Sequence, residues 1–242
     1  MAGAVSAPSG SDTTANRPKG WRHMGNDRPK ILALFARSAA NSASKARPLP
    51  GDLDGACVPD PCDWAERAWP WRRPLAHANH GDVSSPLAIG AGFQLFHDAN
   101  DPKISLRQEP APEPASGPAF QIVLDLNRFD GSFLSLVHDL PHGGLSHLSL
   151  GHFFAVQVVM DHDHDIPVYG RLNIQHGPNQ AQIVRPMVFT GRRGIADFDL
   201  AFSEIHIPRI TKAWVELIFE SPSTGRIVIA DMIVLRALRA DV

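Results

Sequence analysis

The chain has 242 residues, 43% of them hydrophobic, and a formal net charge of −2 at pH 7, a size that suits one large β domain or a domain with a tail. No apolar run is long enough to cross a bilayer as a helix. Residues 1–50 hold eight Lys or Arg against two acids, so residues 51–242 carry a net charge of −8. Such an acidic body argues against nucleic acid as a partner of the folded domain, because neutralising phosphates needs a basic surface.

Residues 1–50 are predicted to form a basic, mostly disordered tail, because Ala, Ser, Gly and Thr bury too little apolar surface to offset the entropy of ordering. Within it, residues 30–46 have Ile31, Leu34 and Phe35 at helical spacing, which predicts a short basic amphipathic helix. This helix would dock on the domain, touch an anionic membrane weakly, or do neither. Because no signal-peptide core is evident, we expect a cytoplasmic protein, with an organellar transit peptide as the alternative.

Residues 51–90 are rich in proline and tryptophan and are expected to be irregular. Three indoles within eight residues either form a stacking platform or pin the segment onto a sheet, and we expect pinning. These indoles belong to Trp64, Trp69 and Trp71. Cys57 and Cys62, the only cysteines, are too few for a disulfide scaffold and poorly spaced for zinc. We therefore expect two unpaired thiols in a loop.

Residues 91–240 read as a succession of short strands, because short apolar or alternating runs are bounded by turn residues. The predicted strands are residues 93–97, 103–107, 120–126, 132–139, 150–160, 168–175, 181–189, 197–202, 213–220 and 226–236. The first two flank a turn-prone segment and predict a hairpin, and Gly143 with Gly144 predicts another hairpin turn. The strand at 150–160 is apolar on both faces, so we expect it in the middle of the stack.

Many short strands without a long helix indicate two layered sheets. In the strand at 213–220, Val215, Leu217 and Phe219 share one face, because successive side chains of a strand point to opposite sides. That face is the expected core face. We therefore predict an all-β fold, an antiparallel β-sandwich of the jelly-roll type over residues 91–240.

Three strings in this region resemble an uncharacterised alphaproteobacterial family, a domain of unknown function. They are residues 128–136, 171–179 and 213–220. The resemblance covers roughly residues 64–240 and implies no activity, because none is known for that family. The closing pattern, residues 213–219 followed by residues 226–235, resembles galactose-binding-like and carbohydrate-binding jelly rolls, and this resemblance implies the fold more than any sugar ligand.

The best candidate for a ligand site is a polar strand face, because polar and apolar side chains alternate strictly from residue 169 to residue 175. Its members are Tyr169, Arg171, Asn173 and Gln175, extended by Trp214 and Glu216 if their strand is a neighbour. If this face is a ligand site, Tyr169 would stack on a sugar, Arg171 would bind an anionic or hydroxyl group, and Trp214 would form one side of a groove. The alternative is a solvated face whose side chains pair with one another, for example Arg171 with Glu216.

A second candidate is a run of acidic residues and histidines at residues 161–165. Its members are Asp161, His162, Asp163, His164 and Asp165. In an extended strand the two histidines would share one face, which suits a transition metal, and the three carboxylates the other, which suits a structural calcium. A polar turn between two strands is the favoured alternative, and we expect no cofactor.

We predict a non-catalytic binding or interaction module, whose ligand is carbohydrate-like or another small polar molecule, or a protein. The sequence has no Gly-rich phosphate loop, nucleophile elbow or metalloprotease motif. Glu216 and Glu220 share a face, but about 13 Å of strand separates them, which exceeds both glycosidase spacings. The alternatives are a metal-dependent enzyme using residues 161–165 and a membrane-associated structural adaptor.

Overall fold

The computed structural model describes residues 53, 55–56, 58–59, 62–112, 117–162 and 166–239. Within these residues, fourteen strands form two antiparallel sheets that pack face to face, which confirms the predicted β-sandwich. No helix in this part of the chain is both long enough and apolar enough to cross a membrane. The predicted tail at 1–50 and its helix at 30–46 lie outside the described residues.

Most of the strands have nine residues or fewer, as the sequence predicts, and three are longer. In chain order they are β1 (Cys62–Arg67), β2 (Asn79–His80), β3 (Leu87–Gly90), β4 (Phe93–His97), β5 (Lys103–Pro110), β6 (Phe120–Arg128), β7 (Phe133–Asp139), β8 (His152–His162), β9 (Val168–His176), β10 (Asn179–Pro186), β11 (Val188–Thr190), β12 (Arg193–Asp199), β13 (Ile210–Glu220) and β14 (Gly225–Leu238). Two helices of four residues, Trp69–Arg72 and His142–Leu145, and a 3-10 turn, Ile207–Arg209, connect them.

Sheet A has the spatial order β11-β12-β8-β14-β6-β5-β2, with β1 beside the later half of β14. Sheet B has the order β10-β9-β13-β7-β4-β3. The chain passes repeatedly from one sheet to the other, as in jelly rolls. Strand β8, apolar on both faces, lies between β12 and β14 as predicted.

The core lies between the sheets and follows the strand period. In β13, the side chains of Val215, Leu217 and Phe219 have no exposed surface, which confirms the predicted core face. Burial of each contributes about 2 kcal/mol to stability. A smaller apolar cluster, which includes Leu53 and Phe153, covers part of the outer face of sheet A.

The predicted hairpin at residues 93–107 is wrong. Strand β4 pairs with β3 and β7 in sheet B, whereas β5 pairs with β6 and β2 in sheet A. Likewise, Gly143 and Gly144 lie in the helical turn His142–Leu145 and not in a hairpin, because β7 and β8 belong to different sheets. Turn-forming residues mark a chain reversal, but they do not specify which sheet the next strand joins.

Residues 62–90, expected to be irregular, contribute strands β1 to β3. Trp71 is fully buried, donates from Nε1 to the carbonyl oxygen of Ile229 at 2.8 Å, and meets the Phe93 ring edge to face at 5.5 Å. Trp71 therefore pins this segment onto the sandwich. Trp69 is half exposed.

Cys62 is a free thiol that begins β1, so its expected position in a loop is wrong. Burial, together with the neighbouring Asp63 carboxylate, raises the pKa of the Cys62 thiol to about 12. The thiolate is the reactive form, so Cys62 is chemically inert in the folded protein. Cys57 lies outside the described residues.

A buried arginine fixes the connection between β7 and β8. Arg236 donates from Nη1 to the carbonyl oxygens of Gly144 at 2.8 Å and Ser146 at 2.7 Å. Its Nε and Nη2 bind both carboxylate oxygens of Asp63, at 3.0 and 2.8 Å. His152 Nε2 lies 3.2 Å from the same carboxylate. The Arg236 side chain of β14 therefore links β1 to the loop that connects β7 and β8.

Candidate functional site

Strands β9 and β13 are neighbours in sheet B. This was the condition for Trp214 and Glu216 to extend the predicted polar face of residues 169–175. Their register places Trp214 opposite Asn173 and Glu216 opposite Arg171. Because their alternate residues fill the core, these side chains belong to the outer face of sheet B.

That outer face contains a depression of about 410 Å³, which we call the sheet B groove. Its lining residues are Gln94, Phe96, Phe133, Ser135, Val137, Asp139, Arg171, Lys212, Trp214 and Glu216. Ser135 and Val137 line it midway along β7, and their side chains are smaller than the aromatic rings of Phe96, Phe133 and Trp214 around them. From Phe133 to Asp139 the strand spans about 20 Å. The volume lies within the range of small-molecule sites, about 300–1,000 Å³.

Glu216 is the polar centre of the groove, although it is only 6% exposed. Its carboxylate accepts hydrogen bonds from Asn173 Nδ2 at 2.8 Å and from Trp214 Nε1 at 3.1 Å. Arg171 Nη2 donates to the other carboxylate oxygen in a partly buried ion pair. The cross-strand pairing that the sequence offered as an alternative is therefore present, and it forms one wall of the groove.

Asn173, one of the predicted ligand residues, has no exposed surface and does not line the groove. Its Oδ1 accepts hydrogen bonds from Gln180 Nε2 at 3.2 Å and Gln182 Nε2 at 3.0 Å, both on the neighbouring edge strand β10. Because its amide nitrogen donates to Glu216, Asn173 holds that carboxylate in place without lining the groove itself.

Tyr169 and Gln175 share the outer face but do not line the groove. The Tyr169 hydroxyl donates to Glu220 Oε2 at 3.1 Å, and Gln175 is exposed near the far end of β9. Of the six predicted ligand residues, the groove brings together Arg171, Trp214 and Glu216. The strand period fixes the face on which a side chain lies, but not whether the surface is concave there.

The other cation of the groove, Lys212, is also paired. Its Nζ lies 2.9 Å from Asp139 Oδ1 and 5.4 Å from the centre of the Trp214 ring. Lys212 and the aromatic rings of Phe96 and Phe133 were not predicted from the sequence as part of this surface. Apolar rings at the outward-facing positions of β4 and β7 were the available signal, because outward positions of a solvated sheet are usually polar.

The acidic and histidine run is only partly described. Asp161 and His162 end β8, where Asp161 pairs with Arg192 and the His162 ring packs 6.4 Å from the Phe189 ring. Residues 163–165 lie outside the described part. Elsewhere in the described chain, no three His, Cys, Asp or Glu side chains come close enough to hold a metal ion. The metal site therefore stays a prediction.

These features define an antiparallel two-sheet β-sandwich with a ligand-sized groove on the outer face of one sheet. The chain belongs to the DUF6478 family, a family of unknown function, whose model matches residues 36–242. No curated protein matches the chain in sequence.

Solved structures with similar architecture share little sequence with the chain. The enzymatically active domain of bacteriophage CBA120 tailspike protein 4 is 9% identical with a TM-score of 0.39, and the match covers 62% of this chain but only 20% of that one. The family 11 carbohydrate-binding module of Clostridium thermocellum, in complex with a mixed-linked tetrasaccharide, is 10% identical with a TM-score of 0.37, covering 64% and 96%. A Stig cyclase from Fischerella sp. TAU is 10% identical with a TM-score of 0.41, covering 73% and 100%. Similarity at this level concerns the β-sandwich architecture and carries no information about a ligand.

Proposed function

We propose that this protein is a binding module that holds a small polar, carbohydrate-like ligand in the sheet B groove without reacting with it. The proposal rests on one observation: the groove has a volume of about 410 Å³, and its lining combines aromatic rings with hydrogen-bonding side chains. Sites for small molecules have this composition, an apolar lining with a few polar groups that fix orientation.

Aromatic side chains stand at the two ends of the groove. Trp214 lies opposite Asp139 across β13 and β7, and Phe133 lies at the other end of β7, beside Glu220. Between them, Gln94 and Ser135 add an amide and a hydroxyl. A sugar ring presents apolar C–H faces to aromatic rings and hydroxyl groups to amides, so its chemistry matches this arrangement.

The charges of the groove favour binding over reaction. Its two carboxylates, Glu216 and Asp139, are each paired with a cation, Arg171 and Lys212 respectively. A catalytic acid or nucleophile needs a proton or a lone pair that is available to the substrate. Both carboxylates of the groove are instead engaged by cations of the chain itself.

The proposal is tested with a panel of oligosaccharides, using thermal shift and isothermal titration calorimetry on wild-type protein. We expect at least one saccharide to bind, and Trp214→Ala to weaken that binding at least about tenfold, because stacking and the hydrogen bond that orients Glu216 are both lost. The matched control is Trp69→Ala, which removes another half-exposed indole outside the groove. Binding by Trp214→Ala that equals wild type, or no binding by any saccharide, would contradict the proposal.

A further inference from the structure

We infer that Glu216 determines the charge selectivity of the sheet B groove, so that the groove takes uncharged saccharides and rejects acidic ones. This inference rests on the proposed function and names the ligand class of the same site. Of the two groups that the sequence suggests for Arg171, an anion or a hydroxyl, it selects the hydroxyl.

Arg171 by itself would attract an anion. A guanidinium presents a planar fork of N–H donors that matches a carboxylate, and it stays charged at every physiological pH. In the folded protein its charge is already countered within the chain, because Glu216 Oε2 accepts a hydrogen bond from Arg171 Nη2 in an ion pair. The side chain of Glu216 is 7% exposed and that of Arg171 is 21% exposed, so the ion pair is largely shielded from water.

Glu216 is also held so that it cannot easily leave Arg171. Asn173 Nδ2 and Trp214 Nε1 both donate to Glu216 Oε1, and Asn173 is itself held by the amides of two β10 side chains. An acidic ligand would have to displace this carboxylate, which would leave a buried charge without its partner. If it did not displace Glu216, it would meet a like charge at the wall of the groove.

The second ion pair has the same effect. Lys212 Nζ is bound to Asp139 Oδ1, so the other cation of the groove is also neutralised by a carboxylate of the chain. The two positive and two negative side chains that line the groove therefore balance, and no net field draws an ion of either sign.

A neutral polyol fits these constraints because a hydroxyl group is both a donor and an acceptor. It can donate to a carboxylate and accept from a guanidinium or an amide while both ion pairs stay intact. A wholly apolar ligand would remove water from the partly exposed polar groups of Asp139 and Lys212 without replacing the hydrogen bonds of that water, which is unfavourable. The ligand class that remains is an uncharged saccharide whose ring faces lie against the aromatic side chains.

The experiment uses pairs of saccharides that differ only at C6, a neutral sugar and its uronic acid, measured by calorimetry at two salt concentrations. For wild-type protein we expect the neutral member to bind at least about tenfold more tightly than the acid, because like charges meet in the acidic complex. We expect the affinity of wild-type protein for the neutral member to be nearly unchanged by salt, because this ligand carries no net charge.

Glu216→Gln is the decisive variant, because glutamine keeps the shape and the acceptor oxygen but leaves Arg171 without a counter-charge. We expect it to gain affinity for the uronic acid at least about tenfold, in a salt-sensitive manner. In the double variant Arg171→Met with Glu216→Gln, this gain should disappear. The control is Glu220→Gln, on the same face of β13 but outside the groove lining, which should behave as wild type.

The outcomes separate the two proposals. If wild-type protein binds the acidic member as tightly as the neutral one, the inference about Glu216 is overturned and the binding module stands. If Glu216→Gln is folded by circular dichroism and gains no affinity for the acid, the inference is overturned as well. If Glu216→Gln does not fold, the comparison of neutral and acidic ligands on wild-type protein decides. If no saccharide of either kind binds, both proposals fail.

Discussion

The His138 ring lies in the core although histidine is usually a surface residue. It occupies an inward position of β7, is 3% exposed, and lies 5.9 Å from the Phe93 ring. Neither ring nitrogen has a hydrogen-bond partner in the described structure. Burial lowers the pKa of His138 from 6.5 to about 4, because a charged ring would lose its hydration there.

This residue makes stability depend on pH. Below pH 6.5 the unfolded chain takes up a proton that the folded protein refuses until about pH 4, so stability falls as pH decreases through that window. Between pH 7 and pH 5 we expect His138 to lower the free energy of unfolding by about 2 kcal/mol. Urea unfolding at both pH values measures this. His138→Leu should remove that component, whereas exposed His142→Leu should retain it; equal pH dependence in wild type and His138→Leu would contradict the assignment.

The residues of the groove show what the sequence could and could not provide. Alternation is a local property, so it correctly placed Arg171 and Glu216 on one face of neighbouring strands. The groove is also lined by Ser135 and Val137 of β7, which lie far from β9 in the sequence and share a surface with it only in the folded sheet, where β13 lies between the two strands. The same long-range packing turned Arg171 from a free cation into half of an ion pair.

At the level of elements, the β7–β8 connection depends on one side chain. Arg236 Nη1 holds two carbonyl oxygens of this loop, and Arg236 also neutralises Asp63 on β1. Partial burial alone would raise the pKa of Asp63, but the hydrogen bonds and charge of Arg236, with a smaller effect of His152, outweigh burial and lower that pKa. Asp63 therefore remains a carboxylate in mild acid and keeps the loop attached.

Replacing Arg236 with methionine should reduce the free energy of unfolding by about 3 kcal/mol, because it leaves two carbonyl groups and a carboxylate without their buried partner. The loop at residues 142–147 should also become sensitive to limited proteolysis. Urea unfolding and peptide mapping measure the two effects. Arg226→Met is the control, since Arg226 is half exposed and its pair with Asp125 is worth about 1 kcal/mol at most. A loss no larger than that of the control would show that the loop has other support.

The unpredicted strand β1 and the wrongly predicted hairpin at residues 93–107 have the same cause. Strand β1 has few β-branched residues and escaped the sequence analysis, yet it forms a strand because β14 offers an edge for five backbone partners. The hairpin expected at residues 93–107 had suitable turn residues, but its two strands belong to opposite sheets and bury their apolar faces in the common core between them. Local propensity detects that a segment can be extended, whereas the choice of neighbour depends on the whole core.

On the scale of the whole molecule, β14 is the strand on which most of sheet A depends. It pairs with β8 along one side and with β6 and then β1 along the other. The short strands β2, β3 and β11 lie at sheet edges with one hydrogen-bonded neighbour each. Loss of an edge strand exposes little surface, whereas separating β14 would dismantle the sheet.

Native-state hydrogen exchange tests this difference in stability between the central strands and the edge strands. Amides of β8, β13 and β14 should exchange only through global unfolding and share one free energy of opening, which should match that from urea denaturation. Amides of β2 and β11 should exchange at least about 100-fold faster through local opening. Equal protection of β2 and β14 would mean that the sandwich opens as a single unit.

The pairing of the first and last strands has a geometric consequence. Cys62, where the described chain joins sheet A, lies beside Ala237, close to where it leaves. Cys62 and Leu238 therefore both lie in sheet A, while the groove opens on the outer face of sheet B. A surface that holds the molecule by these two residues would leave the groove facing outward, and a short linker from Leu238 to Cys62 would give a circular permutant of residues 62–238 that presents the same face.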